Sequence, residues 1–292
     1  MGKRNKNRNN KNLNLRANLK NAINSRVDFE GSKASGDILT TQTMRLYRKE
    51  CCKFSDYVKS IDASVRSLEG ARRYVEPYLL QKQSEGYSAS SIRTYASALA
   101  KAYDCKSTDF NIEYEKRNTS DFTRSRDIAE RDIHFSEKNN ADLIRFQSLV
   151  GLRRNELAHL RYDNLNKSSD VYKLELDGRY CKHGKSRVVE ITAYNESDKQ
   201  FVDRFMQSFC RENGKNHIHN AFDCHHYRAV YASNLYDKYA RDTEYLDRSD
   251  VYYCRNERCG ESYDKQALSY VSENLGHNRC EVVVRNYFYT RV

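Results

Sequence analysis

The second half of the chain carries residue types that could bind a phosphate group and attack it. Two arginines, Arg153 and Arg228, offer guanidinium groups that stay charged and bind phosphate oxygens through paired hydrogen bonds. Tyr287 offers an oxygen that can bond covalently to phosphorus, and histidines can move a proton near neutral pH. Each residue alone is more often an ordinary surface or core residue. Their order indicates a phosphate site around a tyrosine nucleophile: Arg153, Lys182, His225, Arg228, His277 and Tyr287.

Two of these positions have neighbours that could take the same role. Lys185 is an alternative to Lys182, because both lie in one glycine-containing segment. Tyr289 is an alternative to Tyr287 in a chain that holds 23 tyrosines. The sequence therefore does not choose between the two lysines or between the two tyrosines.

The elements that must position these residues are mostly helices, since the chain has one proline, Pro77. In the first half, apolar residues recur every three or four positions, which is the spacing of amphipathic helices. Pro77 is expected to end or kink its helix. This spacing predicts a helical unit over 40–105, with helices over about 40–60, 64–83 and 88–103.

The second half combines helices with short strands. A turn at Gly151 lets Arg153 begin a helix that continues through Leu160, and a helix N-terminus is a good phosphate site. Alternating side chains predict strands with Lys182 in the turn between them. Strands are expected over 171–176 and 188–191, and further helices over about 195–213, from 225 onward, and over 264–275.

A helix that contains His225 and Arg228 would place both on one face, because they lie three residues apart. His226 lacks this spacing and is a weaker alternative to His225. His277 lies 49 residues beyond Arg228, and residues 236–263 between them are charged and rich in tyrosine.

The charge of the chain points to a polyanionic partner. Lys and Arg number 51 against 40 Asp and Glu, which gives a net charge of +11. Eight Lys or Arg against two acids in residues 1–30 predict a flexible basic arm and linker over 1–36. A second linker is expected over 106–130, with three arginines suited to phosphate contacts: Arg117, Arg124 and Arg126.

Composition also limits the cellular setting. No apolar run approaches the roughly 20 residues that span a bilayer, so we expect no membrane segment. The odd number of cysteines, 9, predicts free thiols in a reducing, cytoplasmic compartment. Cys254 and Cys259 are too widely spaced for a typical structural zinc pair, so no metal is expected.

Four motifs in this order resemble the tyrosine recombinase, or phage integrase, family. Residues 151–157 are similar to the family's G-L-R-x-x-E-L, and Lys182 lies in the hairpin that carries the family's lysine. Residues 225–228 match H-x-x-R, and 275–277 match L-G-H with Tyr287 at the nucleophile's place. The resemblance implies an α+β fold, with a helical core-binding domain over 40–105 and a mainly helical catalytic domain over 131–292 that contains a small antiparallel sheet.

The resemblance also implies a reaction and its roles. Tyr287 would cut DNA by forming a 3′-phosphotyrosyl link, without metal or ATP. His225 would accept its proton, Lys182 would protonate the leaving oxygen, and His277 would bind the phosphate. Glu156 would orient its neighbours, and Arg153 and Arg228 would bind the phosphate oxygens. Double-stranded DNA, contacted also by Lys185, is the expected partner of a homotetramer that could be a monomer in solution.

The resemblance leaves two alternatives to a site-specific recombinase or integrase. A type IB-like topoisomerase would use the same chemistry to relax DNA, and a catalytically silent DNA-binding protein would use the fold alone. The spacing from Arg228 to His277 is longer than in compact family members, so residues 236–263 are expected to be an insertion.

Overall fold

The structure is a computed structural model that describes residues 14–31, 33–116, 135–255 and 258–290. The chain divides into two compact units, Met1–Asp121 and Phe122–Val292. The first is helical, and the second is mainly helical with two small antiparallel sheets. These observations confirm the predicted α+β fold class. Within the described ranges, no helix is long and apolar enough to cross a membrane.

The first unit is built from helices that start at side-chain caps. Thr40 accepts a hydrogen bond from the N–H of Thr43 and begins α2, and Ser88 accepts one from Ser91 and begins α5. Both starts agree with the prediction. The helices of this unit are α1 (Leu15–Asn24), α2 (Thr41–Ile61), α3 (Leu68–Arg72), α4 (Val75–Ser84) and α5 (Ala89–Tyr103).

Pro77 does not interrupt the helix in which it lies. The single helix expected over 64–83 is two, because α3 ends at Arg72 and α4 begins at Val75. Pro77 therefore lies in the first turn of α4, where the N–H that proline lacks would have no partner within the helix.

The prediction of a flexible arm and linker over 1–36 is wrong for residues 15–24, which form α1. Leu15, Leu19 and Ile23 recur every four residues and are buried in the core of the first unit, where α1 packs against α2 and α5. Asn14 starts the helix by accepting the N–H of Ala17. The surrounding asparagines and basic residues obscure this apolar stripe in the sequence.

Part of the linker expected over 106–130 belongs to the first unit. Phe110 is buried in its core. The side chains of Gln83 and Arg93 donate to the carbonyls of Glu113 and Glu115 at 2.8 and 3.1 Å. The chain is therefore packed against α4 and α5 well into the predicted linker.

The second unit is arranged around α9, which packs against α6, α10 and α11. α7 is shorter than expected and ends at Ala158, because the side chain of Asn216 donates to the carbonyls of Leu157 and Leu160 at 3.0 and 2.8 Å. The helices are α6 (Ala141–Val150), α7 (Arg154–Ala158), α8 (Glu196–Phe209), α9 (Cys224–Tyr239), α10 (Lys265–Asn274) and α11 (Cys280–Tyr287).

Two antiparallel sheets complete the second unit. In the larger, of order β1-β2-β3, Leu174 pairs with Val189 and both are buried. The smaller is a hairpin of β4 and β5, which occupies part of the insertion expected over 236–263. The strands are β1 (Leu165–Asn166), β2 (Lys173–Leu176), β3 (Arg187–Glu190), β4 (Val251–Tyr253) and β5 (Ser262–Asp264).

Candidate active site

Arg153 is positioned by the tight connection between α6 and α7. Gly151 ends α6 with a φ of 56°, and a Cβ there would lie 2.3 Å from Cδ1 of Tyr231, so only glycine fits. Arg153 then caps α7, and Glu156 accepts its backbone N–H at 2.7 Å and its Nη1 at 2.9 Å. The connection thus fixes the backbone and the guanidinium of Arg153 together.

Glu156 is a buried carboxylate among arginines. Burial alone would raise its pKa, but the charges of Arg187 and Arg228, with the hydrogen bond from the Arg153 N–H, hold the pKa at about 2. Nη2 of Arg187 lies 2.6 Å from Glu156 Oε2. Glu156 is therefore ionised at neutral pH and joins Arg153 to Arg187.

Arg187 belongs to this cluster although no motif in the sequence points to it. Its side chain is 8% exposed and donates through Nη1 to the carbonyl of Asn274 as well as to Glu156. Its Nε is buried and has no hydrogen-bond partner among the described residues. Burial and the charge of Arg228 lower the pKa of Arg187. The sequence offers only its place at the start of β3, five residues after Lys182.

Arg228 lies fully buried on α9 and contacts three parts of the site. Its Nη1 donates to the carbonyl of Gly151, and its Nη2 donates to that of Leu275. Its Nε donates to the hydroxyl of Tyr287 at 3.2 Å. Arg228 thus joins the end of α6, the end of α10 and the end of α11.

The turn after α10 brings two arginines to one carbonyl. Nη2 of Arg153 lies 2.9 Å from the oxygen of Leu275, which Arg228 also contacts. Gly276 follows with a φ of 66°, and a Cβ there would lie 3.0 Å from Cδ of Arg187. The glycine of the L-G-H motif is therefore needed for both the turn and the space.

His277 and Tyr287 meet in this cluster. Nε2 of His277 lies 2.8 Å from the Tyr287 hydroxyl, and Tyr287 is buried. Burial and the charges of Arg228, Arg153, Lys182 and Arg187 lower the pKa of His277 to about 3. The imidazole is therefore neutral at pH 7 and able to share the tyrosine proton.

Two predicted catalytic residues lie at exposed positions around this cluster. Lys182 opens a short 3-10 turn over Lys182–Gly184, close enough for its charge to lower the pKa of His277. His225 lies in the first turn of α9, three residues before Arg228. The structure thus assembles Arg153, Glu156, Arg228, His277 and Tyr287, with Lys182 near them.

The remaining candidates fall outside the cluster or outside the described residues. Lys185 is exposed just after the turn that carries Lys182. Tyr289 lies in a 3-10 turn after α11 and is partly buried against the core. Three further candidates lie outside the described ranges: Arg117, Arg124 and Arg126.

The charges of the cluster favour an anionic ligand. Three arginines face one carboxylate, so the site carries excess positive charge at neutral pH. Guanidinium groups bind phosphate and carboxylate oxygens in paired geometry. Among the described residues, no group of three or more His, Cys, Asp or Glu side chains could hold a metal ion. The described part of the site can therefore bind a phosphate through arginines, beside a tyrosine and a neutral histidine.

Solved structures match nearly the whole chain at low sequence identity. The XerH site-specific recombinase bound to difH substrate matches with 14% identity and a TM-score of 0.49, over 95% of this chain and 92% of that one. The matched structures are of recombinases and a transposon integrase. The Tn1549 transposon integrase with a circular intermediate DNA matches with 12% identity and a TM-score of 0.48, over 94% and 95%. No protein-family model and no curated protein matches the chain.

Proposed function

We propose that this protein is a site-specific DNA recombinase or integrase that cuts and rejoins DNA through a covalent link at Tyr287. One observation carries the proposal: the Tyr287 hydroxyl lies between Nε of Arg228, at 3.2 Å, and Nε2 of His277, at 2.8 Å. A buried tyrosine oxygen with a guanidinium on one side and a neutral imidazole on the other suits attack on a phosphodiester.

The proposed reaction exchanges one ester for another. The Tyr287 oxygen bonds to phosphorus, the bond from phosphorus to the 5′-oxygen breaks, and Lys182 supplies the proton for that oxygen. Arg153 and Arg228 bind the non-bridging oxygens, which gain negative charge in the transition state. Arg228 uses three of its five N–H groups within the protein, so two N–H groups are not committed to these contacts. Rejoining reverses these steps, so the energy of the broken ester is retained.

The geometry favours His277 over His225 as the group that first takes the tyrosine proton. His277 is in contact with the hydroxyl, whereas His225 is exposed on the first turn of α9. A phosphate bound to the arginines would offset their charge and raise the pKa of His277 from about 3, which makes it a better base. In this proposal the substrate itself activates the base.

A suicide DNA substrate, which traps the covalent intermediate, tests the proposal. Wild-type protein is expected to form a covalent adduct whose peptide map shows phosphate on Tyr287. Tyr287→Phe should abolish the adduct, while Tyr289→Phe, removing a hydroxyl two residues away, should retain it. Loss of the adduct in Tyr289→Phe alone would move the nucleophile, and no adduct with wild-type protein would overturn the proposal.

Strand exchange requires a second measurement. Plasmids that carry two target sites are expected to yield recombinant product in the presence of the wild-type protein. Relaxation of supercoils with no recombinant product would assign the same chemistry to a topoisomerase. We further propose that double-stranded DNA is held by both units and that four copies act together on two sites.

A further inference from the structure

We infer that Arg258, on the loop between β4 and β5, is a positioning residue that holds the helix carrying Tyr287 in its reactive place. This inference rests on the proposed function. It gives a role to part of residues 236–263, the segment longer than the compact family pattern requires.

The end of α11 leaves carbonyl groups that need partners. The last four carbonyls of any α-helix have no N–H partner within the helix. The helix dipole also favours a cation near this end. Nη1 of Arg258 lies 2.7 Å from the oxygen of Val284, and Nη2 lies 3.3 Å from that of Phe288. One guanidinium therefore contacts carbonyls on both sides of Tyr287.

Arg258 is itself held in one orientation. Its Nε donates to Glu261 at 2.7 and 2.9 Å, and its Nη2 donates to Tyr263 at 2.9 Å. The Tyr263 hydroxyl in turn donates to Glu261 at 2.6 Å. Paired contacts between a guanidinium and a carboxylate fix the plane of the arginine, which a lysine could not reproduce.

The hairpin that carries Arg258 is fixed to the core of the second unit. Asp264, at the end of β5, accepts from Nε and Nη2 of Arg241 at 2.8 and 2.9 Å. Its backbone N–H donates to the hydroxyl of Tyr236 on α9 at 2.8 Å. Phe288, next to Tyr287, packs edge-on against Tyr236 with ring centroids 5.2 Å apart. The hairpin thus joins α9 to the end of α11.

These contacts place Tyr287 between two supports. On one side its hydroxyl contacts Arg228 and His277. On the other, its helix ends against Arg258. Attack on phosphorus needs the reacting atoms near 3–3.5 Å apart and aligned, and a displacement of about 1 Å can lower a rate roughly 100-fold. A loosened α11 would therefore lose reaction rate before it lost DNA affinity.

The test compares Arg258→Met with Arg255→Met in the full chain. Arg255 is exposed on the same hairpin, so its variant removes the same charge without the contacts to α11. Three quantities are measured: DNA affinity, the rate of covalent trapping, and amide hydrogen exchange in α11 and α9. Arg258→Met is expected to trap about 10- to 100-fold more slowly. Its α11 amides should exchange faster, with DNA affinity and α9 exchange unchanged, and Arg255→Met should behave as wild type.

Arg258→Lys keeps the positive charge and is the variant to measure if Arg258→Met does not fold. It should give a trapping rate between those of wild type and Arg258→Met, because one ammonium replaces the two-pronged contact. If the wild-type protein forms the covalent adduct, and the Arg258 variants show the same trapping rate and the same hydrogen exchange in α11, this inference is wrong and the proposed function stands. No trapping by the wild-type protein would overturn the proposed function, and the exchange of α11 would still report the contact.

Discussion

At the scale of single residues, the site depends on a balance between arginines and one carboxylate. Glu156 contacts the guanidinium groups of Arg153 and Arg187, and all three side chains are largely buried. Removing one partner from a buried charge cluster costs far more than the net contribution of the intact cluster. Glu156 therefore has a role in stability as well as in positioning Arg153.

Glu156→Gln is expected to lower the free energy of unfolding by about 3–5 kcal/mol, because two buried guanidiniums lose their counter-charge. Urea denaturation of the full chain measures the change. Glu273→Gln, on the exposed face of α10, is the matched control and should change it by less than about 0.5 kcal/mol. Equal stability of the two variants would contradict a structural role for Glu156.

His277 is expected to titrate far below its ordinary value near 6.5, because its pKa in the folded protein is about 3. The unfolded state therefore binds a proton first as the pH falls. The contribution of His277 to stability is complete above about pH 6.5 and is lost as the pH falls toward 3. Side-chain NMR should show this titration, and bound DNA should move it upward. A titration near 6.5 in the free protein would contradict the burial among arginines.

At the scale of elements, periodicity predicted the long helices and missed those that depend on distant contacts. α2 and α5 begin within one residue of the predicted positions, since capping and apolar spacing are local properties. α1 was missed because its three buried residues lie in a basic, asparagine-rich segment. α7 ends early because Asn216, far along the chain, donates hydrogen bonds to the carbonyls of Leu157 and Leu160. No local pattern reports a contact of that kind.

Leu19→Ala should destabilise the protein if α1 belongs to the folded core. Leu19 is fully buried, so its truncation is expected to cost about 2–5 kcal/mol in the free energy of unfolding. Asn21→Ala, at an exposed position of the same helix, is the control and should change it little. Urea denaturation of both variants measures the change. Equal midpoints would show that residues 15–24 are a flexible arm, as the sequence predicted.

The site, too, combines residues that local sequence patterns predict with residues that are placed by distant contacts. Arg153, Arg228, His277 and Tyr287 were predicted together from their order. In the structure Tyr287 contacts Arg228 and His277, and Arg153 and Arg228 share the carbonyl of Leu275. Arg187 could not be predicted, because its burial depends on Glu156 and Asn274, 31 and 87 residues away. Arg258 likewise gains its contacts from α11, 26 and 30 residues further along.

At the scale of the whole molecule, most of the net charge of +11 lies in the first unit, which holds 23 Lys and Arg against 14 Asp and Glu, whereas the second holds 28 against 26. In the first unit, α2 carries three exposed basic residues at four-residue spacing, which places them along one face: Arg45, Lys49 and Lys53. Such a row suits the phosphates of a duplex. We therefore expect α2 to contribute to DNA affinity without choosing the sequence that is bound.

Replacing Arg45 and Lys49 with glutamine should weaken DNA binding and reduce its dependence on salt. Lys53 is left unchanged, because it pairs with the buried Glu50 at 3.4 Å. For each phosphate that the variant no longer neutralises, the plot of log affinity against log salt becomes shallower by about 0.9. Fluorescence anisotropy over a range of salt concentrations measures the slope. Lys199→Gln, which removes a charge paired with Glu196 on α8, is the control. An unchanged slope in the double variant would contradict a contact between α2 and the DNA phosphates.

The arginines of the site are anchored to main-chain oxygens, and this has a consequence for how the protein tolerates change. Arg228 and Arg153 bind the carbonyl of Leu275, and Arg187 binds that of Asn274. Substitution of a side chain cannot remove a carbonyl, so the anchors survive exchange of Leu275 for another apolar residue. Inserting or deleting one residue in 274–276 would shift these three anchors at once. We therefore expect this turn to tolerate substitutions better than changes in length.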